Sequence, residues 1–125
     1  MTTKPLPRVL CVDDEERVVQ GLALHLRKDY EVHVAVSGAQ ALERLRDMKG
    51  AAVIISDMRM PGMDGATLLQ VVMQKYPDTT RILLTGEAGR EIAVAAVNKG
   101  QIFRFLTKPC PAEQLKSAVE AGVIG

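Results

Sequence analysis

Short apolar runs and helical stripes alternate along the chain from near its start to its end. Val9 to Val12 is continuously apolar after Arg8 and predicts a buried strand over 8–12. Beyond four consecutive acids, Val18, Val19, Leu22 and Leu26 recur at helical spacing and predict a first helix. Glu31 to Val36 alternates polar and apolar residues as a second strand. Ser37 and Gln40 then have the spacing of a capping box, opening a helix that runs to about Lys49. Val53 to Asp57 predicts a third strand. Asp64-Gly65 opens a third helix with Leu68, Leu69, Val72 and Met73 on one face, and Pro77 forbids its continuation. Arg81 to Thr85 is a fourth strand, and a fourth helix over roughly Ala88 to Asn98 stops at Gly100. Ile102 to Leu106 is a fifth strand, and Pro111 opens a fifth helix with Leu115, Ala118 and Val119 inward.

Five strands alternating with five helices predict an α/β fold, a doubly wound parallel sheet with helices on both faces because crossovers are right-handed. The order 2-1-3-4-5 sets strands one and three side by side at the switch point, with strand four next to strand three. The pattern has no repeat and no linker, so one domain over 8–123 is expected, behind a flexible lead over 1–7.

Composition narrows the classes. The 125 residues are 47% hydrophobic and 25% charged with a formal net charge of +1, which suits one compact domain burying roughly two thirds of its unfolded surface. No run approaches the ~18 apolar residues of a membrane span, and the amino terminus lacks a signal-peptide core, so a cytoplasmic location without membrane contact is expected. Cys11 and Cys110 lack metal or redox spacing and read as reduced thiols. Balanced charge and 3% aromatic residues argue against direct nucleic-acid binding. His25 and His33 read as surface residues, since nothing around them has metal-ligand spacing.

The chemistry lies at the strand ends. In a parallel sheet, ligands collect at the carboxyl ends of the strands, and there this chain carries Asp13-Asp14, Asp57, Thr85 and Lys108. Each residue alone has an ordinary reading: a turn aspartate, a β-favoured threonine, a solvated lysine. Glu15 and Glu16 are explained by the helix dipole. Their convergence on one rim is another matter. Three carboxylates close together repel one another, and a small hard cation that prefers oxygen ligands, Mg²⁺, relieves this while also binding phosphate. Phosphoryl transfer needs an in-line nucleophile and compensation of oxygen charge, which Asp57, the metal and Lys108 supply together.

These residues, with Met60-Pro61-Gly62-Met63-Asp64-Gly65 and Lys108-Pro109, resemble the receiver domains of two-component response regulators over about Val9 to Val119. The resemblance implies a flavodoxin-like fold and a phosphorylation-controlled switch in which Asp57 accepts a phosphoryl group. The donor would be a phosphohistidine on a sensor histidine kinase or histidine phosphotransfer protein. It implies direct Mg²⁺ binding by Asp14 and binding mostly through water by Asp13, with Asp57 and the backbone carbonyl of Arg59 completing the set. It also implies Thr85 and Phe105 as a switch pair, a cis bond at Lys108-Pro109, and a changing surface on helix four, strand five and helix five. Such a domain is no enzyme with a separate substrate; it promotes its own phosphorylation and dephosphorylation. Asn98-Lys99-Gly100-Gln101 and Cys110 depart from the DNA-binding subgroup, so that subgroup's dimer mode is not implied and a homodimer is left open. The stretch Asn98 to Pro109 looks more like receivers joined to cyclic-dinucleotide phosphodiesterase or related outputs, and the output domain is absent from this chain.

Two other classes compete. A haloacid dehalogenase phosphatase also uses Asp, Thr, Lys and Mg²⁺, but it carries Asp-x-Asp at the first strand exit, whereas here the acids are adjacent and the nucleophile lies on strand three. A receiver-like interaction module would never carry phosphate. Finally, Arg59 follows Asp57 by two residues and Glu87 follows Thr85 by two, so the pair is expected to face across the phosphate and tune its lifetime.

Overall fold

The computed structural model describes residues 5–124; residues 1–4 of the expected flexible lead, and Gly125, lie outside it. In chain order the elements are β1 (Arg8–Val12), α1 (Glu16–Leu26), β2 (Glu31–Ala35), α2 (Gly38–Met48), β3 (Val53–Asp57) and α3 (Gly65–Lys75). Then come β4 (Thr80–Thr85), a short 3₁₀ turn (Glu87–Gly89), α4 (Arg90–Asn98), β5 (Arg104–Thr107) and α5 (Ala112–Ile124). The strands form one parallel sheet in the order β2-β1-β3-β4-β5.

The central strands read as unbroken apolar runs because both of their faces are covered. Leu10, Val12, Ile54 and Leu83 point to one side, under α2, α3 and α4, where Leu45, Leu68, Leu69, Val72 and Ala93 meet them. Val9, Cys11, Val53, Ile55, Ile82 and Leu84 point to the other, under α1 and α5, against Val19, Leu22, Leu115 and Val119. The sheet thus separates two cores.

Local chemistry ends the helices. The Ser37 hydroxyl accepts from the Gln40 amide at 3.1 Å, and the Gln40 side chain reaches back at 2.8 Å to the amide of Val36, one residue before the expected partner. The Asp64 carboxylate caps α3 by accepting from Thr67 N–H at 2.8 Å.

Several boundaries differ from expectation: β4 starts at Thr80 and not Arg81, β5 runs on to Thr107, and three further shifts have local causes. β2 stops at Ala35 and not Val36, whose amide is taken by Gln40. α4 starts at Arg90 because residues 87–89 wind as the tighter turn. β5 starts at Arg104 and not Ile102, because Gly100 turns with φ +72° and buried Ile102 plugs the α4-side core before pairing begins.

Two glycines show how closely the site is built into this frame. At Gly65 a Cβ would collide with the Asp57 carbonyl oxygen, whereas at Gly21, within α1, it would meet nothing within 4 Å. Gly65→Ala should therefore lower the urea unfolding free energy by about 1–3 kcal/mol through overpacking. Gly21→Ala should raise it by roughly 0.5–1 kcal/mol through helix propensity. Equal effects of the two substitutions would contradict this packing.

Candidate functional site

The carboxyl ends of β1, β3 and β5 meet around one ammonium group. Asp57 is the last residue of β3, which lies between β1 and β4, and its side chain is nearly buried. Asp13 follows β1 directly, is fully buried, and is held there by its own amide donating to Ala35 O at 3.2 Å. Lys108 follows β5, and its amide donates to Thr85 O at 2.9 Å, which fixes where its side chain starts. Its Nζ lies 2.7 Å from Asp57 Oδ1 and 3.1 Å from Asp13 Oδ2. The Lys108–Pro109 bond is cis.

The electrostatics follow from that arrangement. Burial pushes the Asp13 carboxyl above its ordinary range, opposed by the Glu15 amide, which donates to Oδ1 at 2.9 Å, and by Lys108. Burial alone would depress the Lys108 ammonium, but its hydrogen bonds to Asp57 and Asp13 outweigh this and hold it above the ordinary lysine range. Asp14 is exposed and takes no hydrogen bond among the described residues. Asp13, Asp14 and Asp57 each bring an oxygen within 4.8 Å of the others. This is an all-oxygen, carboxylate-rich set that suits a hard divalent cation.

Thr85 ends β4, is buried, and donates its hydroxyl to Gly86 O at 3.0 Å. Phe105 pairs in register with Leu83, two positions back on the same face as Thr85, and packs partly buried into the α4-side core. Both residues therefore line one side of the sheet. Arg59 and Glu87 are both exposed in the loops after β3 and β4, and no ion pair joins them among the described residues. Two solvated side chains gain too little from pairing to be held together.

Other residues of the site carry weak sequence signals. Met58 and Met60, on either side of Arg59, are buried and floor a groove that runs to Ile92 of α4; each could have been read as a loop methionine. Gly65 and Gly89 look like helix-start glycines, yet Gly65 abuts Asp57 and Gly89 abuts Thr85. The cysteines stay outside the chemistry: burial pushes the Cys11 thiol up to about 12 and also raises that of Cys110. His33 pairs at 2.8 Å with Glu31, which also holds Arg8 at 3.0 Å, on the exposed side of β2. No helix among the described residues is long and apolar enough to cross a membrane.

A family model described as response regulator receiver domain matches residues 9–120. The hydrogenase transcriptional regulatory protein HoxA of Bradyrhizobium diazoefficiens is 34% identical over 92% of this chain and 24% of its own length. The chain thus spans about a quarter of the length of such curated relatives. Among solved structures, an adenylate cyclase from Rhodopirellula baltica superposes with a TM-score of 0.91 at 39% identity, covering 95% of this chain and 88% of that one. The signal receiver domain of an HD domain-containing protein from Pseudomonas fluorescens gives 0.87 at 37% identity, covering 99% and 91%.

The cluster holds three like charges against one lysine, and Asp14 is the member with no partner among the described residues. In metal-free buffer, Asp14→Asn should raise the urea unfolding free energy by a few tenths to ~1 kcal/mol, as expected for relief of repulsion at an exposed charge. A loss of stability in EDTA would contradict the repulsion.

Proposed function

The chain belongs to the response regulator receiver domain family, and from that premise we propose that Asp57 accepts a phosphoryl group from the phosphohistidine of a sensor histidine kinase or histidine phosphotransfer protein. Receiver domains act in phosphorylation-dependent signalling. The observation that carries it is the Lys108 ammonium set 2.7 Å from Asp57 Oδ1 at the rim of the sheet. An oxygen of the Asp57 carboxylate attacks phosphorus in line, and the P–N bond breaks with its electron pair returning to the histidine nitrogen, which takes up a proton. Lys108 faces the incoming charge.

The donor set fits Mg²⁺, which when bound would offset the carboxylate repulsion and draw charge from the phosphoryl oxygens. Asp14, exposed and without a hydrogen bond among the described residues, is suited to direct ligation, as is Asp57, with the Arg59 carbonyl completing the set. Both oxygens of Asp13 are already engaged, by Glu15 N–H and Lys108, which suits a role through water.

After transfer, the Thr85 hydroxyl leaves Gly86 O for a phosphoryl oxygen, and Phe105 moves into the space released beside it. The surface of α4, β5 and α5 changes and acts on an output domain outside this chain, or on a partner that includes a second copy of the chain. Arg59 and Glu87, in the two loops beside the acceptor, together tune acyl-phosphate lifetime by narrowing the approach of the hydrolytic water. The phosphatase reading is disfavoured because Asp13 and Asp14 are adjacent and the strand-end Asp57 comes from β3.

Asp57→Asn keeps the shape and removes the nucleophile. Its Mg²⁺-dependent labelling by acetyl phosphate, read by mass spectrometry, should vanish while the circular dichroism spectrum is kept. Undiminished labelling of the folded variant would reject Asp57 as acceptor. For the metal, Asp14→Asn should weaken Mg²⁺ binding more than Asp13→Asn in calorimetric titrations. Equal titrations would reject the division between direct and water-mediated roles.

A further inference from the structure

The first turn of α4 rests on Thr85, and it can do so only because residue 89 has no side chain. Gly89 is buried at the end of the 3₁₀ turn that leads into α4. A Cβ there would overlap the Thr85 hydroxyl oxygen and come within 3.3 Å of Met58 Cγ. The φ of Gly89 is −97°, open to any residue, so space and not backbone conformation demands the glycine. This is also the loosely held end of α4. The N-cap positions of the 3₁₀ turn and of the helix, Gly86 and Gly89, are glycines and supply no side-chain cap. The opposite end is pinned, since Arg81 Nε donates to Gln101 O at 2.9 Å and Phe103 N–H donates to Arg81 O at 2.8 Å.

Thr85 has three staggered positions about χ1. Its hydroxyl now occupies the one that faces Gly89 and donates to the Gly86 carbonyl. We propose that Gly89 is a positioning residue that sets the resting state of the switch, because its bare backbone lets the α4 turn close over Thr85 and keep the hydroxyl engaged there. The inference rests on the reading of Asp57 and Thr85 above and adds the residue that sets their balance. Phosphoryl acceptance must then draw the hydroxyl out of a packed seat. With alanine at 89, neither Oγ1 nor Cγ2 of Thr85 fits the facing position. Either the side chain rotates to turn its Hβ toward residue 89, or the turn lifts; in both cases the hydroxyl is released in advance.

Gly89→Ala is tested in the phosphate-free protein and with beryllofluoride. In the phosphate-free protein, carbon-coupled NMR of the Thr85 methyl group reads χ1, and the hydroxyl should leave its present position, or the amides of residues 86–90 should lose exchange protection. Retention of both overturns the inference whether or not Asp57 proves to be the acceptor. With Mg²⁺ in excess, beryllofluoride should bind Gly89→Ala tighter by about threefold or more, since the competent population no longer has to be drawn from the seat. In a Thr85→Ala background the same substitution should change affinity little. An equal change in both backgrounds shows that residue 89 acts without Thr85 and overturns the proposal. If Gly89→Ala does not fold, adding Thr85→Ala should restore folding by vacating the overlap; failure of that rescue counts against the contact as strongly. Absence of Asp57 labelling in the unmodified protein would instead defeat the acceptor reading, leaving the χ1 measurement to decide on Gly89.

Discussion

One lysine between two sunken carboxylates organises this molecule. Asp13 is fully buried and Asp57 nearly so, and a buried carboxylate is tolerated only when paired and hydrogen-bonded. Lys108 satisfies both at 3.1 and 2.7 Å, and its own backbone amide is held by Thr85 O. The ends of β1, β3, β4 and β5 must therefore stay in register. Lys108 is about a third exposed, so solvent weakens the pairs below what a dry interior would give. That partial screening matters for chemistry: an ammonium locked wholly to its carboxylates could not turn toward an incoming anion.

The fold was legible because each central strand is buried on both faces and so reads as an uninterrupted apolar run, while each helix shows a single stripe. The site was legible for a related reason. A parallel sheet delivers the residues after its strands to one rim, so Asp13, Asp57, Thr85 and Lys108 could be gathered from far apart in the chain by their positions alone. The start of β5 was not legible, because Ile102 and Phe103 look like strand residues and only the three-dimensional path shows Ile102 serving as a plug before pairing begins. Arg59 and Glu87 were placed on facing loops by counting, but counting says nothing of side chains that solvent competes for. Gly89 was invisible for the opposite reason: its importance is the volume it lacks, which only a neighbour such as Thr85 can reveal.

The helices do not share one kind of attachment. α2 and α3 begin on side-chain caps from Ser37 and Asp64, which tie their first turns to the loops above the strands. α4 begins on backbone alone and presents Ile92, one of the larger exposed apolar side chains, from its first turn. A helix without a cap opens more cheaply at that end. α1 likewise begins without a side-chain cap from Glu15, so α1 and α4 share this cheaper opening and α2 and α3 do not.

The two-core arrangement has a consequence for how such a domain diversifies. Thr85, Phe105 and α4 belong to one core, and α1 and α5 to the other, with the sheet as a wall between them. A substitution that repacks the α1 and α5 side leaves the lining under α4 in place, and the reverse holds too. Packing on one face of the sheet can then change through substitution while the packing on the other is kept.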